Sequence, residues 1–199
     1  MHCILCQTDL PAVPSWKYVF GKDEQLLCTS CQQGWEASRQ WKETSLPLVD
    51  KVTTLYCYNS FMKDVIYLYK GLGHIAIARL FAQDVRQLQR TKRLVLPIPT
   101  HVDRQLEHGF CHTEQLLVEA HVPYLYALRK NQAVQMSQLN RSERLQQRGW
   151  LEVVGSVEHP FVMLVDDIVT TGSTLQLSAD VLLSQGVTSV EAFVLCRTK

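Results

Sequence analysis

The sequence predicts an α/β protein, a parallel sheet covered by helices on both faces, preceded by a small cysteine-bearing module. Three observations point there. Two C-x-x-C pairs, Cys3/Cys6 and Cys28/Cys31, stand near the N-terminus. Apolar, strand-like runs then alternate with helical patterns. One run, Phe161 to Val165, ends at two adjacent aspartates, and the Thr/Gly/Ser turn after them opens into a helix. The chain has 199 residues, of which 46% are hydrophobic and 20% charged. That is enough to bury a sizeable core, and it excludes a disordered tail protein.

The cysteines come first in the chain. Seven is an odd number, and without an export signal they do not suggest a disulfide framework. A two-residue gap lets both thiolates of a knuckle turn toward one ion, and two knuckles make a closed tetrahedral zinc site with no open catalytic position. The expectation is a structural zinc ribbon held by Cys3, Cys6, Cys28 and Cys31, with a redox pair as the alternative. Gln7 to Leu27, with Pro11, Pro14 and Gly21, supplies the turns between the knuckles. So short a segment cannot hold itself together by burial alone. Cys57 and Cys196 read as core thiols.

Gly34 to Leu46 reads as a short helix or connector stopped by Pro47, which divides the chain into residues 1–46 and 47–199. Lys51 to Tyr58 is strand-like, and Phe61 to Lys70 is helical up to Gly71 and Gly73. Ile77, Phe81, Val85 and Leu88 recur at helical spacing, so His74 to Arg90 is an amphipathic helix. Arg93 to Ile98 is a strand stopped by Pro97 and Pro99. Thr113 to His121 is a helix, Val122 to Leu128 is strand-like, and Arg129 to Gly149 is a polar, basic loop leading into a short helix. Phe161 to Val165 has the unbroken apolar character of a buried parallel strand. Leu175 to Gln185 is a helix closed by Gly186, and Ser189 to Leu195 is the last strand. No apolar run approaches the ~20 residues of a membrane span, and MHCILCQTDL has no signal-peptide pattern. A cytoplasmic chain without membrane insertion is expected.

The chemistry concentrates in Val162-Met-Leu-Val-Asp166-Asp167-Ile168-Val-Thr170-Thr171-Gly172-Ser173-Thr174. Two carboxylates at the end of a buried strand sit where open α/β sheets bind ligands. Free backbone N–H groups and the helix dipole make the following turn a phosphate cradle, with Gly172 allowing close approach and four hydroxyls adding donors. Helix capping explains one acid and one hydroxyl, not this whole set. The chain has no P-loop. A sugar phosphate fits, with Asp166 and Asp167 on two ring hydroxyls.

LVDDIVTTGST resembles the phosphoribosyl-pyrophosphate signature of the type I phosphoribosyltransferases. With the cysteine knuckles in front, the chain resembles the ComF family, whose members are linked to natural competence and DNA uptake. The same pattern appears in Pro97-Ile-Pro99, Arg104, Gly109-Phe110-Cys111-His112, and the Gln135, Leu139 and Arg144 stretch. The resemblance implies a type I phosphoribosyltransferase fold over residues 47–199, with a zinc ribbon and connector over 1–46. It implies Asp166, Asp167 and Ile168, with Thr170 to Thr174, as the binding site for Mg²⁺-bound phosphoribosyl pyrophosphate. Arg104 would face the pyrophosphate as a catalytic residue beside the aspartates, with Lys70 a weaker candidate for that place. The family's Asn-Gln pair is replaced by Cys111-His112, and an expected Asn by Gln146. His112 reads as a general base or, more often for such a residue, a surface histidine. Cys111 is a reactive thiol only beside a cation.

Two functions follow. One is a phosphoribosyltransferase of unnamed acceptor, in which a nitrogen nucleophile attacks C1 of the ribose and pyrophosphate leaves, assisted by Arg104 and Mg²⁺. The other is a module that uses the fold as a scaffold or ligand sensor and binds single-stranded DNA or a partner of the uptake machinery. The net charge is only +1, but residues 51–149 carry fourteen basic and seven acidic side chains. Such an excess attracts phosphates when it is not simply a solvated face. Trp35, Trp41, Tyr67 and Tyr69 are the stacking candidates, beside Arg79, Arg86 and Arg93.

Overall fold

A computed structural model describes residues 1–11, 25–100, 109–130 and 151–198. In chain order its elements are α1 (Thr29–Ser38), β1 (Arg39–Leu46), β2 (Val49–Cys57), α2 (Ser60–Ile66), α3 (Ala78–Val85) and β3 (Leu94–Pro97). They continue with α4 (His112–Glu119), β4 (Leu128–Lys130), β5 (Leu151–Val153), β6 (Phe161–Val169), α5 (Ser173–Ser184) and β7 (Ser189–Arg197). A π-helical turn, Tyr67–Gly71, prolongs α2, and 3₁₀ turns flank α3. Asn59 caps α2, its Oδ1 accepting from the Met62 N–H at 2.8 Å. Among the described residues, no helix is long and apolar enough to cross a membrane.

The main sheet has strand order β1-β2-β7-β6-β3. β2, β7, β6 and β3 are mutually parallel, and β1 joins β2 antiparallel at the edge. β4 and β5 form a separate antiparallel ribbon. The unbroken apolar run of β6 is buried on both faces, as a central parallel strand requires. Its side chains alternate between two cores. Met163 and Val165 pack with α2, α3 and α4, whereas Val162 and Leu164 pack with α5 and the β4–β5 ribbon. In the first core Trp35 of α1 lies 4.9 Å from Phe81 and 5.2 Å from Tyr56, ring to ring. Asp84 binds both the Tyr56 hydroxyl and Arg39, the latter at 2.8 Å. The helix after the cysteines is thereby tied to the sheet.

Three element readings are corrected. Gly34–Leu46 is the end of a helix followed by an edge strand. β1 is polar and exposed, so it lacks the apolar alternation that marks a strand, and its pairing with β2 reveals it. Residues 122–127 have no regular structure; the Leu125 N–H bonds to Val95 O at 2.9 Å, and the strand begins only at Leu128. β6 runs on to Val169, paired with β7 through Ile168 and Val169, so the aspartates lie within the strand. Of the stretch read as a basic loop, Arg129 and Lys130 belong to β4, and residues 131–150 lie outside the described residues.

Candidate ligand cleft and metal centre

The first knuckle is a tight turn closed by Cys3 N–H to Thr8 O at 2.8 Å and Gln7 N–H to Cys3 O at 2.9 Å. Cys28 is the N-cap of α1, and Cys31 lies in its first turn. The four ligand sulfurs lie within 4.8 Å of one another, and Cys6 Sγ is 3.6 Å from Cys28 Sγ. Tetrahedral zinc with Zn–S bonds of about 2.3 Å places its sulfurs roughly 3.8 Å apart, so the cluster fits such an ion. Hydrogen bonds with Thr8, side chain then backbone, lower the Cys6 thiol to about 6. Burial pushes Cys3 up, but backbone N–H groups outweigh it and its pKa falls; burial raises Cys31. This cluster could hold a metal ion with all four positions filled by sulfur.

The second site lies at the carboxyl ends of β3 and β6. A cleft of ≈ 250 Å³ is lined by Lys70, Ile98, Pro99, Thr100, Thr113, Lys130, Asp166, Asp167, Ile168 and Thr174. The Lys70 ammonium, on the π turn after α2, is 2.7 Å from both Asp167 oxygens. Backbone N–H groups complete the acidic pair, Ile168 donating to Asp167 Oδ1 at 2.7 Å and Asp167 to Asp166 Oδ1 at 2.8 Å. Burial, and then the charge of Asp167, raises the Asp166 pKa to about 7. Asp167 is pushed up by burial but pulled below its ordinary value by Lys70. Burial lowers Lys130, opposed by Asp166. One cleft thus holds two acids with divergent affinities for a proton beside two lysines.

The turn from Thr170 to Thr174 opens α5. Gly172 has φ of +77°, where a side chain is strained, and a Cβ there would come within 2.4 Å of Leu46 Cδ1, which would have to move. The hydroxyls of Thr171 and Ser173 lie 2.7 Å apart, and the first N–H groups of the helix have no intrahelical acceptor. On the opposite wall the Thr113 hydroxyl donates to Ile98 O at 2.6 Å, and Cys111 Sγ is 3.3 Å from Thr100 Oγ1. Helix α4 thus fixes the turn after β3.

The fold therefore gathers Asp166, Asp167, Ile168, Thr174 and Lys70 around one cleft. Arg104, Gln135, Leu139, Arg144 and Gln146 lie outside the described residues. Thr100 belongs to the turn after Pro99 that the sequence places at the pyrophosphate, whereas Lys130 and Thr113 escaped the sequence reading because no local pattern links them to residue 166; β4 and α4 bring them there. His112 is 1% exposed and packed against Tyr69 and Phe110, so it is not a surface histidine. Cys111 is likewise buried. Trp35 and Tyr69 lie in the core and cannot stack on bases, while Trp41 and Tyr67 are exposed.

The model of the phosphoribosyl transferase domain family matches residues 113–199. The chain is 28% identical to the competence protein ComFC of Streptococcus pneumoniae, over 99% of this chain and 100% of that one. It is 26% identical to ComFC of Bacillus subtilis, over 98% and 95%. Among solved structures, the allosteric regulatory enzyme of purine biosynthesis superposes with a TM-score of 0.42 at 18% identity, covering 61% of this chain and 26% of that one. The chain is thus homologous to the ComFC competence proteins, and its residues 113–199 match the phosphoribosyl transferase domain family.

Proposed function

We propose that the cleft binds phosphoribosyl pyrophosphate with Mg²⁺ and that the protein acts in DNA uptake. The observation that carries this is the meeting of an acidic pair, two lysines and Thr174, in the first turn of α5, in one cleft. The N–H groups and hydroxyls from Thr170 to Thr174 take the 5′-phosphate. The acidic pair accepts from the ribose hydroxyls, and the lysines face the pyrophosphate. Carboxylate oxygens are the hard donors Mg²⁺ prefers, and the ion, when bound, neutralises charge on the leaving pyrophosphate. Substrate attack at C1 by a nitrogen nucleophile, with loss of pyrophosphate, is the chemistry such a site supports. The four cysteines hold a structural zinc ion, which fastens the start of α1 to the N-terminal turn. The context of DNA uptake follows from the competence relatives.

Calorimetric titration of phosphoribosyl pyrophosphate, with and without Mg²⁺, tests the reading. Micromolar affinity that needs Mg²⁺ and disappears in the Asp166→Asn/Asp167→Asn variant is expected. Absence of binding by the intact protein, or an unchanged affinity in that variant, would refute it.

A further inference from the structure

A second concavity, of ≈ 720 Å³, shares no lining residue with the Asp166–Asp167 cleft. It lies between α1, the helix that carries Cys31, and α3. Each helix gives it one stripe at i, i+3, i+4 and i+7 spacing. Thr29, Gln32, Gln33 and Glu36 come from α1. Arg79, Ala82, Gln83 and Arg86 come from α3 and the 3₁₀ turn that continues it. A stripe at that spacing, turned toward another element, is ordinarily apolar. Apart from Ala82 these residues are polar and exposed, while Leu27 and Trp35 give the groove a buried apolar base. Seven steps along a helix cover about 10 Å, the reach of about three extended residues. The groove therefore has room for a short stretch of extended chain.

Its charges are unevenly satisfied. Glu36 is held by Arg39 at 3.1 Å and by Gln32 at 3.0 Å, and Glu119 accepts from Gln115 at 3.0 Å. Arg39 is further tied to Asp84 at 2.8 Å. Among the described residues, the side chains of Arg86, Gln33 and Gln83 have no partner. A guanidinium in that state calls for an anion. A free carboxamide offers an NH₂ and a C=O, the complement of a peptide group. Nucleic acid fits less well. Trp35 is 3% exposed, so no aromatic lining the groove is open to a base, and Glu36 and Glu119 oppose a chain of phosphates.

We propose that this groove docks an acidic, extended segment of a partner protein, with a carboxylate on Arg86 and main-chain groups on Gln33 and Gln83. The site is independent of the ligand proposed for the cleft.

Panning the full-length protein against a phage-displayed library of random dodecapeptides tests this. Selected clones are expected to be rich in Asp and Glu. The strongest, synthesised with fluorescein and titrated by fluorescence polarisation, should lose about tenfold in affinity on Arg86→Glu, the scale of one charge-assisted hydrogen bond. Gln33→Ala and Gln83→Ala should each weaken it about threefold. Arg90→Glu makes the same charge change at an exposed residue outside the groove and should leave affinity within about twofold. All these side chains are exposed, so thermal melts should stay unchanged. Enrichment of no sequence above a blank support overturns the proposal. So does a peptide that Arg86→Glu and Arg90→Glu weaken equally, or one that an oligothymidylate displaces, which would give the groove to nucleic acid instead.

Discussion

Replacing Gly172 by alanine should cost stability for two separable reasons. At φ of +77° an alanine sits in the left-handed region, which costs about 1–2 kcal/mol. The new Cβ also stands 2.4 Å from Leu46 Cδ1. Because that atom ends a flexible side chain, Leu46 can rotate away at about 0.5–1.5 kcal/mol. The smaller conformational freedom of the unfolded alanine chain returns about 0.4–1 kcal/mol. The net loss is about 1–3 kcal/mol, or roughly 3–10 °C in Tm for a chain of this size. Scanning calorimetry should be run beside Gly186→Ala, where φ is +97° and nothing lies within 4 Å. That control isolates the backbone cost. Adding Leu46→Ala to Gly172→Ala should recover about 1 kcal/mol of the steric part in a double-mutant cycle. Equal losses at Gly172 and Gly186, with no coupling to Leu46, would show that the β1–β2 hairpin does not press on the Thr170–Thr174 turn.

Two further predictions concern the metal and pH. Cys28→Ser should abolish the bound metal, about one ion per chain by elemental analysis, and expose the α1 N-terminus to proteolysis; full retention would place the ion elsewhere. Affinity for phosphoribosyl pyrophosphate should rise as pH increases through about 7, where Asp166 loses its proton next to Asp167, Lys70 and Lys130. The rise should be absent from Asp166→Asn. Because the folded pKa of Asp166 lies above its ordinary value, its contribution to stability falls as pH rises from about 4 to about 7. Asp167, held low by Lys70, contributes in the opposite sense, and its stabilisation is lost only as pH falls below its ordinary range. A flat binding profile between pH 6 and 8 would remove Asp166 from the site.

Patterns that are local in sequence were legible from sequence. A knuckle is made by two cysteines three positions apart, and the turn before α5 by consecutive hydroxyls around a glycine, so each can be read without knowing what packs on it. The buried strands β6 and β7 were equally plain, since burial on both faces demands an unbroken apolar run. β1 was missed because an edge strand exposed to water needs no such run, and its identity comes from the backbone of β2. Lys130 was missed for a related reason, since nothing near it in sequence hints at residue 166.

The sequence by itself determined the α/β class, the four-cysteine cluster and the acidic pair with its hydroxyl turn, all properties of short segments. Only the tertiary structure decided what each carboxylate meets. Strand alternation sends the two aspartates to different faces, and the packing of α2 brings Lys70, 97 positions away, onto one of them. Two neighbours in sequence thereby acquire different affinities for a proton, because a charge responds to what lies within a few ångströms in space and not to its place along the chain.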